Sequence, residues 1–259
     1  MVIDLHNHTP LCNHATGEPR EYIKEAIKKS IKIYGFSDHA PMEFDKKYRM
    51  SFDQMEEYEK EILDLKKEFK EKIDIRLGYE VDFIKKFLDK RVLEAKVDYL
   101  IGSIHFLDGW GFDNPEFIGE YKNKDIDKIW EDYFLAVEEM AKSGHFQIVG
   151  HLDLIKVFNY FPKKDIRIIA KNAIKAIKKA NMTVEINSAG FRKDVKKQYP
   201  QEELLEMIYE YQIPITFGSD AHKIEDVGYK LEDIINLAKK IGFKEAATYH
   251  NKEREMVKI

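Results

Sequence analysis

Short apolar runs alternate with amphipathic helical patterns along almost the whole chain, and this alternation constrains the fold more than any other feature. Seven runs have the length and the apolar content of buried strands, and they lie at 1–3, 33–39, 74–83, 99–105, 146–151, 182–187 and 213–222. Strands of this kind are buried on both faces of a parallel sheet. Seven strand–helix units in 259 residues favour a closed or nearly closed α/β barrel over an open sheet.

The segments between the predicted strands support one domain. Helices are predicted at 21–32, 52–72, 126–143, 165–180, 201–211 and 231–241, with a shorter one ending near Leu93. Residues 107–124 are predicted to form an irregular insert, and a short tail follows residue 241. No repeat, linker or low-complexity segment divides the chain, so we expect residues 1–259 to form a single domain.

Charge and composition exclude several classes of protein. The net charge of −4 argues against a broad nucleic-acid-binding surface, although it allows a local positive pocket. The one cysteine, Cys12, excludes an internal disulfide, and no apolar run approaches the roughly 18 residues that span a bilayer. With no secretory leader visible, we expect a cytoplasmic protein with no membrane or nucleic-acid partner. The sequence leaves the oligomeric state open.

Residues that can bind metal ions follow the predicted strands at their carboxyl ends. They are His6, His8 and, in the following loop, His14 after the first strand, His39 after the second, Glu80 after the third, His105 after the fourth, His151 after the fifth, and Asp220 and His222 after the seventh. In a parallel barrel these ends converge on one rim. The alternative, a set of unrelated histidines, would require seven of the nine histidines to reach that rim by coincidence.

The number of these side chains exceeds the needs of one ion. Because strand side chains alternate, His6 and His8 point to the same side about 7 Å apart and can bind one ion together. Three groups follow: His6, His8, Glu80 and Asp220; Glu80 as a bridge with His105 and His151; and His14, His39 and His222. Imidazole and carboxylate ligands suit Zn, Fe or Mn. Cys12 could add a thiolate, but we favour a buried thiol.

The ordered motifs resemble those of the polymerase-and-histidinol-phosphatase (PHP) superfamily, and within it the histidinol-phosphate phosphatases. The resemblance covers nearly the whole chain and rests on Asp-Leu-His-Asn-His-Thr from residue 4, Cys-Asn-His-Ala from 12, Gly-Phe-Ser-Asp-His-Ala-Pro-Met from 35, Gly-Tyr-Glu-Val-Asp from 78, Gly-Ser-Ile-His from 102, Gly-His-Leu-Asp from 150, Glu-Ile-Asn-Ser-Ala-Gly from 185 and Gly-Ser-Asp-Ala-His from 218. No ligand position departs from the pattern.

The resemblance implies a distorted (β/α)7 barrel, a trinuclear metal centre and hydrolysis of a phosphomonoester by a hydroxide that bridges two ions. L-Histidinol phosphate is the expected substrate. A phosphoesterase of nucleotides or short oligonucleotides is the alternative enzyme, and a non-catalytic module stabilised by metal is the alternative from another class. No glycine-rich phosphate loop or serine nucleophile motif is present, so metal-activated water is the nucleophile that the sequence offers.

Several further residues are expected to take part in catalysis or substrate binding. Glu80, Asp220 and His222 are the expected catalytic ligands, and Asp38 is expected to orient an imidazole. Arg192 and Lys156 follow strands on the same rim and are expected to bind phosphate. In the insert, Trp110 and Phe112 are expected to stack on an imidazole, and the acids Asp108, Asp113 and Glu116 are candidate partners for an ammonium group.

Overall fold

Seven parallel strands form the central sheet of the computed structural model, which describes residues 1–259. Numbered in chain order with the hairpin strands included, they are, in spatial order, β1 (Ile3–Asp4), β2 (Ile33–His39), β3 (Asp74–Asp82), β4 (Tyr99–Ser103), β7 (Ile148–Val149), β8 (Thr183–Asn187) and β9 (Ile215–Gly218). All neighbouring pairs are parallel. The predicted parallel sheet is therefore confirmed.

Backbone hydrogen bonds join the two outer strands and give the sheet the form of a barrel. The N–H group of Leu5 donates to the carbonyl of Phe217 at 2.9 Å, and just beyond the strands Asp220 donates to His6 at 2.7 Å. His8 then donates to Ala221 at 3.0 Å. This seam brings the N-terminal histidines beside the residues that follow β9.

Amphipathic helices cover the outside of the barrel. They are α1 (Pro19–Lys28), α2 (Met55–Phe69), α3 (Lys90–Leu93), α4 (Ile126–Ser143), α5 (Ile166–Ile169), α6 (Lys171–Lys179), α7 (Glu202–Glu210) and α8 (Leu231–Ile241). Helix α4 begins where the Asp125 side chain accepts backbone N–H groups, and it ends at Gly144 with φ 75°. The single helix predicted at 165–180 is divided in two at Ala170. None of these helices combines the length and the hydrophobicity that a membrane-spanning segment requires.

Two antiparallel hairpins lie outside the barrel. In the insert, β5 (Phe106–Leu107) pairs with β6 (Trp110–Gly111), and a 3₁₀ segment covers Pro115–Asn123. The tail predicted after residue 241 is instead a hairpin of β10 (Glu245–His250) and β11 (Glu253–Lys258). The sequence conceals it because β11 is charged and largely exposed and so shows no apolar alternation. Tyr249 anchors the hairpin through hydrogen bonds with Thr183 and Gln147.

Candidate active site

The predicted ligand residues converge at the carboxyl ends of the strands, where a cavity of about 560 Å³ opens. His14, His39, Glu80, His105, His151, Asp220 and His222 line this cavity. His6 and His8 lie behind them with no exposed surface. The structure therefore brings all nine predicted ligands together at one rim.

Glu80 lies at the centre of the group, and its two oxygen atoms face different histidines. Oε1 is 2.8 Å from Nε2 of His151 and 3.7 Å from Nε2 of His105. Oε2 is 3.1 Å from Nδ1 of His39 and 3.4 Å from Nε2 of His6. A carboxylate in this position can contact ions on two sides.

The ligand atoms fall into clusters, some of which coincide with the predicted groups and some of which combine residues of two groups. In each cluster the ligand atoms lie within 4.8 Å of one another, and the clusters include His6, His8 and Glu80; His6, His151 and Asp220; Glu80, His105 and His151; and His14, His39 and His222. Asp220 joins the first of these because its Oδ1 is 3.2 Å from Nε2 of His8. The Cys12 thiol is buried and clusters with His8 and His222.

Several buried ring nitrogens at the centre have no hydrogen-bond partner. They are Nε2 of His6, His8 and His222 and Nδ1 of His39 and His151. A buried nitrogen without a partner is unfavourable, and each of these atoms belongs to a residue of the clusters. The lone pairs of neutral imidazoles beside two carboxylates form a donor set for divalent ions such as zinc, so the residues fit the metals that the sequence predicts.

Three further carboxylates contact the Nδ1 atoms of ligand histidines. Glu185 is 2.8 Å from Nδ1 of His6, and Asp82 is 2.6 Å from Nδ1 of His105. Asp38 is 3.4 Å from Nδ1 of His8 and also accepts the backbone N–H of His39. Asp38 thus contacts an imidazole, as expected, although the ring is that of His8 and not that of its neighbour His39.

Sequence reasoning assigned no such role to Asp82 or Glu185. Both lie in largely apolar strands, where a buried acid needs a partner. Their position in such strands could have identified them as residues that pair with a polar group in the interior.

The buried carboxylates attract positive charge. Burial disfavours a charged imidazole, but Glu185 and Glu80 outweigh it and raise the pKa of His6 well above the usual value. Burial likewise opposes protonation of His8, yet Asp220 and Asp38 raise its pKa to about 9. For Glu80, burial favours the neutral acid, but His39 and His6 hold its pKa well below the usual range. The carboxylates therefore favour positive charge beside His6 and His8, whereas burial lowers the pKa of His39 and His222.

Arg192 lines the cavity and is held by the loop after β9. Its Nη2 donates to the carbonyls of Ser219 at 2.7 Å and Asp220 at 2.9 Å, and Nε is 3.5 Å from Asp226. Its Nη1 is buried and has no partner. One arm of the guanidinium is thus fixed by the loop, while the other keeps donor groups that no protein atom uses.

The structure contradicts the expected contact of Lys156 with phosphate. The side chain is fully buried and does not line the cavity. Its ammonium group donates to Asp153 and to the carbonyl of Gln198, both at 2.8 Å. A charge that cannot reach water needs such partners, so Lys156 is part of the packed interior.

The expected stacking of Trp110 and Phe112 on substrate is also wrong. Neither residue lines the cavity. Phe112 is completely buried beside Tyr133, and Trp110 packs edge-on against Tyr121 at 4.8 Å. Large apolar area favours packing against the barrel over exposure at the rim.

Other residues of the insert line the cavity instead. They are Gly111, Asp113, Asn114, Pro115 and Phe117, and Phe106, the residue just before the insert, also lines the cavity. Of the three acids expected to bind an ammonium group, Asp113 alone is among them. Burial raises the pKa of Asp113.

The chain matches two family models and is similar to proteins of known description. The family model described as "PHP domain" matches residues 4–189, and one described as "PHP-associated" matches residues 203–230. A Deinococcus radiodurans protein described as "Probable histidinol-phosphatase" is 39% identical, over 97% of this chain and 98% of its own length. A Bacillus subtilis protein described as "Histidinol-phosphatase" is 31% identical, over 88% of this chain and 96% of its own length.

A solved structure shares the architecture. It is histidinol phosphate phosphatase from Lactococcus lactis in complex with zinc, L-histidinol and phosphate. The two chains superimpose with a TM-score of 0.80 at 25% identity, and the match covers 98% of each. That protein binds an amino alcohol and an inorganic anion together with zinc.

Proposed function

Because the chain belongs to the PHP family, we propose that it is a metal-dependent phosphomonoesterase that hydrolyses L-histidinol phosphate to L-histidinol and phosphate. The observation that carries this proposal is the convergence of seven histidines, Glu80 and Asp220 at one cavity, in a chain similar to proteins named for this activity. The continuous core of 70 buried residues supports the proposal that residues 1–259 act as one domain.

Three ions are proposed for the centre. His6, His8, Glu80 and Asp220 would hold the first, Glu80 with His105 and His151 the second, and His14, His39 and His222 the third. The observed clusters and the unpartnered ring nitrogens support this division. Zn, Fe or Mn suits these ligands. When bound, such ions supply Lewis acidity and lower the pKa of water to about 7.

The protein's own residues would position the phosphate and the ligands around it. Arg192 would bind a phosphate oxygen through its free Nη1. Glu80 would supply oxygen ligands to two of the ions, Asp220 would hold the first ion and His222 the third. Asp38 would keep the His8 ring in place through Nδ1. These contacts support hydrolysis by fixing the scissile group relative to an activated water.

Recognition of the amino alcohol is proposed for the insert. Asp113 is the acid of the insert that lines the cavity, so it would pair with the ammonium group of the substrate. Phe106 and Phe117 line the same cavity and would provide apolar surface for the imidazole. A small-molecule phosphomonoester is therefore the proposed partner of this protein.

A panel of phosphomonoesters tests the proposal when it is combined with elemental analysis of the same sample. We expect a kcat/KM for histidinol phosphate that exceeds the value for nucleoside monophosphates by orders of magnitude, with about three metals per chain. Preference for nucleotides would favour the alternative phosphoesterase. The absence of any metal-dependent hydrolysis would favour a non-catalytic module.

A further inference from the structure

Glu185 occupies the interior of the barrel at the point where two ligand-bearing segments meet. It lies on β8 and is 1% exposed. Its Oε1 accepts from Nδ1 of His6 at 2.8 Å, while Oε2 accepts the backbone N–H of His151 at 2.7 Å and the amide of Asn187 at 3.1 Å. One carboxylate therefore connects the loops that carry His6 and His151.

Gly218 leaves the space through which Glu185 reaches His6. A Cβ atom at this position would lie 2.0 Å from Oε1 of Glu185 and 2.6 Å from Cβ of His6. Atoms cannot approach so closely in a packed interior, so a side chain here would displace the Glu185 carboxylate, His6 or both. The lack of a side chain at residue 218 is thus a requirement of this contact.

We propose that Glu185 is a positioning residue that sets the tautomer and orientation of His6, an inference that rests on the proposed metal-dependent function. By accepting a hydrogen bond from Nδ1–H, the carboxylate keeps the ring proton on Nδ1 and leaves the lone pair of the neutral ring on Nε2. That atom is buried, has no partner, and lies 3.4 Å from Glu80. The same carboxylate fixes the backbone of His151, so it sets the relative placement of ligands to two of the ions.

Glu185→Gln tests this role without changing the size of the side chain. The amide offers one acceptor and one donor group where the carboxylate offers two acceptors. Directing its oxygen to His151 and Asn187 satisfies both donors, and its NH₂ group must then donate to Nδ1 of His6. The proton of the ring moves to Nε2, which removes the lone pair that would bind metal.

Two measurements on purified protein report this change. Competition with a chromogenic chelator should show zinc affinity weakened by about 10- to 100-fold in Glu185→Gln, the usual range for a partner of a metal ligand. Long-range ¹H–¹⁵N spectra of the zinc-loaded wild type should show the His6 proton on Nδ1, with the signal identified by its loss in His6→Asn. In Glu185→Gln the proton should be on Nε2. Glu71→Gln, the same change at an exposed residue, should match the wild type in both.

Gly218→Ala provides a second test because its Cβ would press on both Oε1 of Glu185 and Cβ of His6 and should break their contact. It should weaken zinc binding to a similar degree, whereas Gly119→Ala should have no effect, since a Cβ there would have no neighbour within 4 Å. Should Gly218→Ala fail to fold, Glu185→Gln still decides the question. The inference would be overturned if Glu185→Gln bound zinc as tightly as the wild type and kept the His6 proton on Nδ1. If the wild-type enzyme is active, that result would leave the proposed function intact. Absence of zinc binding in the wild type would overturn the proposed function as well.

Discussion

Arg192 offers the sharpest test of how this cavity would bind phosphate. The Arg192 side chain is 18% exposed, and Nη2 and Nε already contact the loop after β9 and the Asp226 carboxylate. The buried Nη1 atom has no protein partner. Arg192→Ala removes this donor and its charge, while Asp220 keeps its backbone bond to His6 at 2.7 Å. We therefore expect binding of phosphate to suffer and the metal content to remain unchanged.

The expected magnitude follows from one charged hydrogen bond in a site with little exposure to water. Such a bond contributes about 1.5–3 kcal/mol, and this corresponds to about 10- to 150-fold in an equilibrium constant. The KM for histidinol phosphate and the inhibition constant of inorganic phosphate should rise together by this factor. Arg192→Lys should recover part of the loss because it keeps the charge but not the two-armed geometry.

Steady-state kinetics with phosphate as a competing inhibitor check this expectation, and elemental analysis of the same samples checks the metals. Lys193→Ala is the matched control, because Lys193 also lines the cavity but is exposed, so its removal should change KM by less than about threefold. Unchanged KM and phosphate inhibition in Arg192→Ala would refute the assignment. An equal loss in Lys193→Ala would indicate a general effect of charge.

Three other changes have distinct expected results. Glu80→Gln should lower kcat by about 100-fold or more, because breaking a buried charge pair costs about 3–5 kcal/mol, and it should reduce the metal content from about three ions towards one, because the third ion takes no ligand from Glu80; near-normal values would exclude the bridge. Asp113→Asn should reduce kcat/KM for histidinol phosphate by about 10-fold or more and spare an aryl phosphate, since a charged hydrogen bond would be lost; equal effects on both substrates would contradict this. Lys156→Met should lower the melting temperature and leave KM unchanged, because the lysine pairs with buried Asp153 at 2.8 Å; a raised KM would restore the expected contact with phosphate.

The parts of the fold that were predictable from sequence are those with a strong periodic signal. The alternation of apolar runs and helices predicted the barrel, and the carboxyl ends of parallel strands predicted where His39, Glu80 and His151 would meet. Strand β11 was missed because charged, exposed residues such as Glu253 and Arg254 carry no apolar pattern. An apolar period appears in the sequence only where an element buries one face, and an exposed edge strand buries little of its surface.

The errors in the site have a different cause. Residue type indicated what Lys156 and Phe112 could do, but not which way they face. Phe112 gains more from burial beside Tyr133 than from exposure at the rim. Lys156 follows Asp153 by three residues, and that spacing allows the buried pair to form. Competition between packing and exposure is decided by the assembled tertiary structure, which a local pattern does not contain.

The seam between β1 and β9 also links ligand binding to local opening of the barrel. His6 and His8 lie on one side of it, Asp220 and His222 on the other, and the amides of Leu5 and Asp220 cross it. An ion whose ligands come from both sides can bind only while the hydrogen bonds of the seam are formed, and not when the two segments have separated. At a free ion concentration of 100 times Kd, this linkage adds about 2.7 kcal/mol to the free energy of opening. Hydrogen exchange at those two amides should then slow by about 100-fold. The bound ions would therefore stabilise the closure of the barrel between β1 and β9.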